Sequence, residues 1–325
     1  MRVNIYRRTA QDSLTLEELR LYHLITDYRS EQGLDPLPLS KALTATAGRH
    51  VLDSRENIWR AGLDLPDAAN PLHSWSDAFY YDDGRDPSVM WDAPDRLGTG
   101  YRGNGYEISA AGQGNVREAL AAWQSSPGHD AILTATDGWE DVRMRAIGIG
   151  VETAPGPSPY AGGPIVDVWF GDAADAGAPR IVGTGGDDAA PGTAFADRIA
   201  GRGGDDRLLG RGGDDRLAGG AGDDRLVGGP GRDRLTGGEG ADSFVFATAR
   251  HAGHDRIRDF APGEDRLDLS GIDADPGRRG HQPLDAADLA RGPGFVAADL
   301  DGDGTADVRL HLGHGAEAGI HDLLL

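Results

Sequence analysis

The feature that most constrains this chain is an aspartate that returns every nine residues. Asp188, Asp197, Asp206, Asp215, Asp224, Asp233 and Asp242 keep that spacing. Two positions after each comes Ala190, Ile199, Leu208, Leu217, Leu226, Leu235 or Phe244, and Ile181 begins the same apolar row. Glycines hold the first and fourth places of the unit, as at Gly201 and Gly204, Gly210 and Gly213, and Gly219 and Gly222. A flexible linker has no reason to keep aspartate and leucine in phase. A collagen helix would need glycine at every third place, which this stretch lacks.

Each position has a physical reading. Glycine opens backbone conformations closed to other residues and frees carbonyls to face a ligand. Aspartate is a hard oxygen donor, and calcium takes six to eight oxygens, which turns stacked on one edge of a coil can supply. The apolar residue of each short strand points inward, so the core is one thin row. The unit resembles the G-G-x-G-x-D-x-U-x nonapeptide of RTX, or hemolysin-type, calcium-binding proteins. That resemblance implies a parallel β-roll over residues 181–246 with several calcium ions along both edges. In such a roll the neighbour of a turn lies 18 residues away, so Asp215 sits between Asp197 and Asp233, and Asp206 between Asp188 and Asp224. The second aspartates Asp205 and Asp214 occupy the variable fifth place and are expected to be exposed and to matter least. Arg207, Arg216, Arg225 and Arg234 take an outward strand position and are read as a solvated face.

Composition narrows the function classes. The chain has 325 residues, enough for two domains, and 53 acidic against 32 basic residues give a net charge of -21. Cations are therefore good partners and nucleic acid a poor one. There is no cysteine, which excludes disulfides, cysteine zinc sites and thiol catalysis. No apolar run has the length of a membrane span, so an integral membrane protein is not expected.

The first half has a different texture. Thr15 and Glu18 form a capping box, Leu14 and Leu19 a staple pair, and Leu21, Leu24, Ile25 and Tyr28 share a helical face that Gly33 ends. A second helix is expected from Ser40, with Leu43, Ala47, His50 and Val51 inward, and a third from Asn115 with Glu118. The runs "AIGIGVE" and "IVDVWFG" read as strands. His50 is read as a packed helix residue and not as a ligand. There is no G-x-S-x-G elbow and no H-E-x-x-H helix, and no catalytic residue is assigned.

The segments "LRLYHLITDYRSEQGLDPLPLSKALTATAGRHVLDS", "HSW", "GYEISAAG", "AWQSSPGHD", "RAIGIGV" and "VDVWFG" occur in the order seen in bacterial CAP, or SCP-like, domains. The resemblance spans roughly residues 14–172 and implies an α-β-α sandwich with an open cleft. Carried over by position, it implies that His73, Glu107 and His129 line that cleft, with Ser126 where the family has a further acidic residue. Two imidazoles and a carboxylate can hold Zn2+ or another divalent metal, bind a small or lipid-like ligand, or be hydrogen-bonded loop histidines. A metal-dependent hydrolase using His73, Glu107 and His129 and a non-catalytic adhesion protein are the competing classes.

The C-terminal stretch "FVFATARHAGHDRIRDFAPGEDRLDLSGID" resembles the segment that closes the roll of serralysin-type exoproteins, with Asp255, Asp259 and Asp265 as its acidic positions. "DLDGDGTAD" offers Asp299, Asp301, Asp303 and Asp307 around Gly304. An EF-hand would need a glutamate where Leu310 stands, so a calcium loop between two strands is expected instead. The ending "IHDLLL" resembles the uncleaved signal of type I secretion substrates and implies an extracellular protein without an N-terminal signal peptide. The expected organisation is multi-domain α+β. It comprises an N-terminal extension (1–13), the CAP-like sandwich (14–172), a linker (173–180), the parallel β-roll (181–246) and the C-terminal closing region (247–325).

Overall fold

The computed structural model describes residues 3–66, 69–81, 88–154, 162–175, 177–251, 253–273, 284–285, 289–300 and 305–325. The chain divides into two compact units, Met1–Pro179 and Arg180–Leu325. Among the described residues no helix is long and apolar enough to cross a membrane.

In the first unit a short strand, β1 (Leu14–Thr15), leads into α1 (Leu16–Glu31). The capping box forms as read: the Thr15 amide donates to Glu18 Oε2 at 2.6 Å, and the Glu18 amide to Thr15 Oγ1. Glu18 is fully buried because its other oxygen accepts the Val151 amide at 2.9 Å, which ties the helix start to a strand. Next come α2 (Lys41–Asp53), capped by Ser40, the one-turn helices α3 (Ser88–Trp91) and α4 (Ala93–Arg96), and β2 (Gly105–Ala111). They are followed by α5 (Val116–Gln124), capped by Asn115, then α6 (Pro127–Thr134), β3 (Ala146–Glu152) and β4 (Ile165–Gly171).

The three long strands make one antiparallel sheet in the order β2-β4-β3. Every residue of β3 and β4 is buried, so both faces of those strands are covered. The glycines of "AIGIGVE" explain how closely α2 lies on the sheet. A Cβ at Gly148 or Gly150 would overlap the helix backbone at Leu43–Thr44 or Ala47–Gly48. The described part of the expected extension is no appendage: Ile5 is 2% exposed, and Asp12 pairs with Arg49 at 2.7 Å. The expected linker is also anchored, since Asp175 accepts from Ser40 Oγ at 2.6 Å and from the Ala42 amide at 3.0 Å.

In the second unit the nine-residue beat becomes two parallel sheets that the chain visits alternately. One contains β5 (Arg180–Val182), β7 (Arg198–Gly203), β9 (Arg216–Ala221), β11 (Arg234–Glu239) and β13 (Gly253–Ile257). The other contains β6 (Ala189–Pro191), β8 (Arg207–Leu209), β10 (Arg225–Val227), β12 (Ser243–Val245) and β14 (Arg266–Asp268). Within the repeats each strand pairs in register with the one 18 residues away, as in Ile199↔Leu217↔Leu235 and Leu208↔Leu226↔Phe244. The two inward rows face each other, and their members from Ile181 to Leu267 are at most 2% exposed.

The coil does not stop at residue 246. The strand β13 continues the first sheet and pairs with β17 (Val308–Leu312), which turns antiparallel to β16 (Phe295–Ala298) and then β15 (Leu289–Gly292). The strand β14 continues the second sheet and pairs with β18 (Leu323–Leu324) at the chain end. The terminal aliphatics thus belong to the roll. Their neighbour Asp322 accepts the Gly263 and Gly319 amides at 2.9 and 2.8 Å.

Candidate calcium sites and a candidate cleft

The sixth-place aspartates stand in two ladders, one along each edge. On one edge the amides of Asp197, Asp215 and Asp233 donate to Oδ1 of Asp215, Asp233 and Asp255 at 2.8, 2.9 and 2.8 Å. On the other, the amides of Asp188, Asp206, Asp224 and Asp242 donate to Oδ1 of Asp206, Asp224, Asp242 and Asp265 at 2.8, 2.8, 3.0 and 3.0 Å. Each interior carboxylate therefore spends one oxygen on its neighbour's backbone.

The second oxygen has no protein partner. Oδ2 of Asp206, Asp215, Asp224, Asp233, Asp242 and Asp255 is buried and without a hydrogen bond. Such an atom is costly unless something hidden from the sequence satisfies it. The first-place glycines show where that partner fits. A Cβ at Gly201, Gly210 or Gly219 would overlap Oδ2 of Asp206, Asp215 or Asp224 and also crowd the carbonyl oxygen of Gly219, Gly228 or Gly237. Carboxylate and carbonyl oxygens thus converge beside a bare Cα, a donor set suited to a hard cation such as Ca2+. The fourth-place Gly204, Gly213 and Gly222 have φ of +94°, +108° and +125°, so their identity is fixed by backbone conformation as well.

The start of the roll differs. Thr184 and Thr193 donate their amides to Oδ2 of Asp188 and Asp197, both at 2.6 Å, so at Asp197 the buried oxygen without a partner is Oδ1. Burial pushes the aspartates upward in pKa, to about 8 for Asp215, about 7 for Asp255 and about 6 for Asp197, Asp224, Asp233 and Asp242. These shifts mark groups that resist ionisation unless a cation is near.

The fifth-place aspartates are exposed as expected, yet they carry a second, outer ladder. Asp187 accepts from the Asp205 amide at 2.8 Å, Asp205 from Asp223 at 2.9 Å, and Asp214 from Arg232 at 3.0 Å. Near the C-terminus Asp299 and Asp307 flank the connection between β16 and β17, and Asp307 Oδ2 accepts the Leu300 amide at 2.7 Å. Asp301 and Asp303 lie outside the described residues.

In the first unit His73, Glu107 and His129 line one cleft of about 360 Å3, with Tyr80, Trp91 and Trp139 among its apolar walls. Glu107 comes from β2, and His129 from the first turn of α6. His73 Nδ1 lies 2.9 Å from Glu107 Oε1, and His129 Nδ1 lies 2.9 Å from Ser126 Oγ. The serine that replaces the expected acidic residue therefore orients the histidine. Burial opposes a charge on His73, but the Glu107 carboxylate outweighs it and raises the pKa. Burial and the neighbouring His73 lower that of His129.

The metal set expected at the cleft does not converge. Among the described residues, the group with ligand atoms within 4.8 Å of one another is His50, Glu107 and Asp167, and neither His73 nor His129 belongs to it. The reason is that Glu107 turns inward to a buried network that the sequence reading missed. His50 Nδ1 lies 3.1 Å from Asp167 Oδ2 and its Nε2 lies 3.2 Å from the Ser74 carbonyl oxygen. Trp169 Nε1 donates to Asp167 Oδ2 at 2.6 Å, and His50 stacks on Trp75 with ring centres 4.3 Å apart. Ser109 Oγ lies 2.7 Å from Asp167 Oδ1 and also contacts Glu107 Oε1.

Burial and the charge of Glu107 raise Asp167, whereas the two imidazoles overcome burial and lower Glu107. Burial opposes charge on His50, but both carboxylates prevail and raise it to about 9. His50 is therefore packed, as expected, and also the buried counter-charge of the cleft carboxylate. The signal for this network was a lone aspartate inside the otherwise apolar strand "IVDVWFG".

Comparison with known proteins matches the second unit alone. The family model of the RTX calcium-binding nonapeptide repeat matches residues 182–217, 191–226 and 218–246. Two solved structures are similar, the AlgE6R3 and AlgE6R2 subunits of the Azotobacter vinelandii mannuronan C5-epimerase. Each is 30% identical; they cover 44% and 45% of this chain and 80% and 92% of their own, with TM-scores of 0.24 and 0.23. No curated protein matches the chain. The repeat match falls on the strands that carry the two aspartate ladders, and residues 182–246 are a β-roll of RTX calcium-binding nonapeptide repeats.

Proposed function

We propose that the chain is an exported protein whose second unit folds on extracellular calcium and whose first unit presents a CAP-type cleft to a small, amphipathic ligand. The observation that carries the calcium half is the row of buried, unpartnered Oδ2 atoms at Asp206, Asp215, Asp224, Asp233, Asp242 and Asp255. Asp197 adds a buried, unpartnered Oδ1 to this row, its Oδ2 being held by the Thr193 amide, whereas Asp188 at the start of the roll has its Oδ2 held by the Thr184 amide and contributes less. Gly201, Gly204, Gly210, Gly213, Gly219 and Gly222 supply the backbone turns, and Asp299 and Asp307 belong to a separate loop site. The calcium ions supply the positive charge that this row lacks. In a compartment poor in calcium the acidic roll stays unfolded by self-repulsion, which suits passage through a type I exporter.

For the cleft, the reading rests on the covered sheet, on helices and strands in the CAP order, and on His73, Glu107 and His129 meeting at one cavity. The chemistry on offer is an imidazole held at Nδ1 by a carboxylate, a second imidazole held by a serine, and apolar walls. That suits hydrogen bonding to a polar head with an apolar body beside it. Because the three side chains do not converge as a metal set, binding is preferred to metal-dependent hydrolysis.

The test is a calcium titration of the full chain followed by far-ultraviolet circular dichroism and equilibrium dialysis. The proposal expects a cooperative gain of β-structure with several ions bound per chain. A spectrum independent of calcium overturns it.

A further inference from the structure

The cleft of the first unit has walls that its histidines do not account for. Besides His73 and His129 it is lined by Tyr80, Trp91, Tyr106 and Trp139, so four aromatic rings border a cavity of about 360 Å3. The rings of Tyr106 and Trp139 stand at 87° to each other with centres 5.1 Å apart, and they form a corner. The ring of Tyr80 meets that of His73 edge-on at 5.5 Å. Trp91, at the end of α3, is 43% exposed, whereas Trp75, Trp123 and Trp169 are buried in the core. Packing therefore does not explain why a tryptophan stands at this opening.

The second observation is electrostatic. Glu107 lines the same cavity and is 3% exposed. Among the described residues its partners gather on one oxygen: His73 Nδ1 lies 2.9 Å and His50 Nδ1 3.4 Å from Oε1, and Ser109 Oγ contacts the same atom. The other oxygen, Oε2, is buried and has no hydrogen bond among the described residues. A buried carboxylate oxygen without a partner is costly unless a donor or a cation reaches it. Among the described residues no lysine or arginine lines the cavity, so the chain itself does not supply that cation there.

We infer that the cleft takes a methylated ammonium head, bordered by the rings of Tyr80, Trp91, Tyr106 and Trp139 and neutralised by Glu107. Aromatic faces attract a cation that lies within about 6 Å of their centres, and the attraction grows as water is excluded. Methyl groups make such a cation apolar on its outside, which suits aromatic walls, and a protonated dimethylamine keeps one N–H for Glu107 Oε2. The net charge of -21 adds a long-range attraction for cations. An anionic head is the competitor, because His73, His129 and the first turn of α6 border the same cavity. It would leave Glu107 Oε2 without a partner and bring two negative charges together, so the cation fits better. The inference rests on the reading of the first unit as a ligand cleft, and it names the head group that this reading leaves open.

The experiment titrates the full chain in calcium, by calorimetry, with octyltrimethylammonium and octyldimethylammonium below their micelle concentrations. Both should bind, the dimethyl ion at least as tightly because of its N–H. The neutral analogue, with a tert-butyl group in place of the trimethylammonium, should bind at least about fivefold more weakly, and octanoate should not bind. Trp91→Leu should weaken the ammonium ions about threefold or more, and Trp91→Phe, which restores a ring face, should weaken them less. Thermal melting of each variant separates loss of the site from loss of the fold. Binding of the small ions alone marks a free amphiphile, and binding to phosphatidylcholine vesicles as well marks a membrane-borne head; both support the inference. If octanoate or the neutral analogue binds as tightly as the ammonium ions, the cleft reading stands and this inference falls. If Trp91→Leu leaves the ammonium affinity unchanged, the ions sit elsewhere and the inference falls too. If none of the probes binds, both readings fall.

Discussion

Replacing Asp215 with Asn should change the stability of the roll with opposite signs in calcium and in chelator. Asparagine keeps an oxygen for the Asp197 amide, which donates to Oδ1 at 2.8 Å, so the backbone ladder survives. What is lost is the charge on a carboxylate whose Oδ2 is buried without a partner. In chelator that carboxylate is a burden. Burial and the neighbouring Asp233 and Asp197 charges push its pKa from 3.8 to about 8, which corresponds at neutral pH to a penalty on the order of 2–4 kcal/mol. Asp215→Asn removes the penalty and should stabilise the ion-free roll by a sizeable part of it. In calcium the same change removes an anionic ligand from the interior of a ladder, and the folding midpoint should move to clearly higher calcium. Asp215→Ala should be worse in both conditions, because it also strands the Asp197 amide at a cost of about 1–3 kcal/mol. Chemical denaturation followed by circular dichroism, with and without calcium, measures all four quantities. If Asp215→Asn destabilises the roll equally in both conditions, the free Oδ2 is not a cation ligand and the reading of the ladder fails.

Other outcomes follow from the same geometry. Asp214→Asn should change calcium dependence little, while Asp214→Ala should cost about 1 kcal/mol in either condition, because it strands the Arg232 amide that donates to Asp214 at 3.0 Å. In chelator the roll should gain stability on acidification. The raised aspartates bind protons more tightly folded than unfolded, so their contribution is complete below about pH 4 and is lost as pH rises through 6 to 8, which a pH series of denaturation midpoints would record. Deleting residues 321–325 should weaken calcium-induced folding itself as well as export, because β18 pairs with β14 and Asp322 holds the Gly263 amide, as calcium titration of the truncated chain would reveal. Glu107→Gln should destabilise the first unit by about 3 kcal/mol and lower the pKa of His73, read by thermal melting and proton NMR, because it leaves His50 charged and buried beside one carboxylate.

The repeats were legible because two chemistries, aspartate and an aliphatic residue, stayed in phase over seven units and no other fold asks for that. Their continuation past residue 246 was harder to read. The ladder steps from Asp233 to Asp255 and from Asp242 to Asp265 span 22 and 23 residues instead of 18, so longer loops break the sequence period while the stack persists. Helix starts at Thr15, Ser40 and Asn115 were legible because capping is a local interaction between residues three apart. The cleft histidines were found by resemblance, and the structure brings them to one cavity. Asp167 and His50 were missed as partners because a buried charge network joins α2 to β4 across 117 positions, and nothing local marks it. The outward positions of Arg216 and Arg234 were legible, but their alignment with Arg180, Arg198 and Arg256 exists only once the strands are stacked.

The most direct test of the account is hydrogen exchange of the full chain, read segment by segment, in calcium and after chelation. Residues 183–246, together with β13, β14 and β18, should be protected in calcium and should exchange rapidly without it, while β2, β3 and β4 of the first unit keep their protection in both. Equal protection of residues 183–246 in calcium and in chelator would contradict the claim that cations complete this fold.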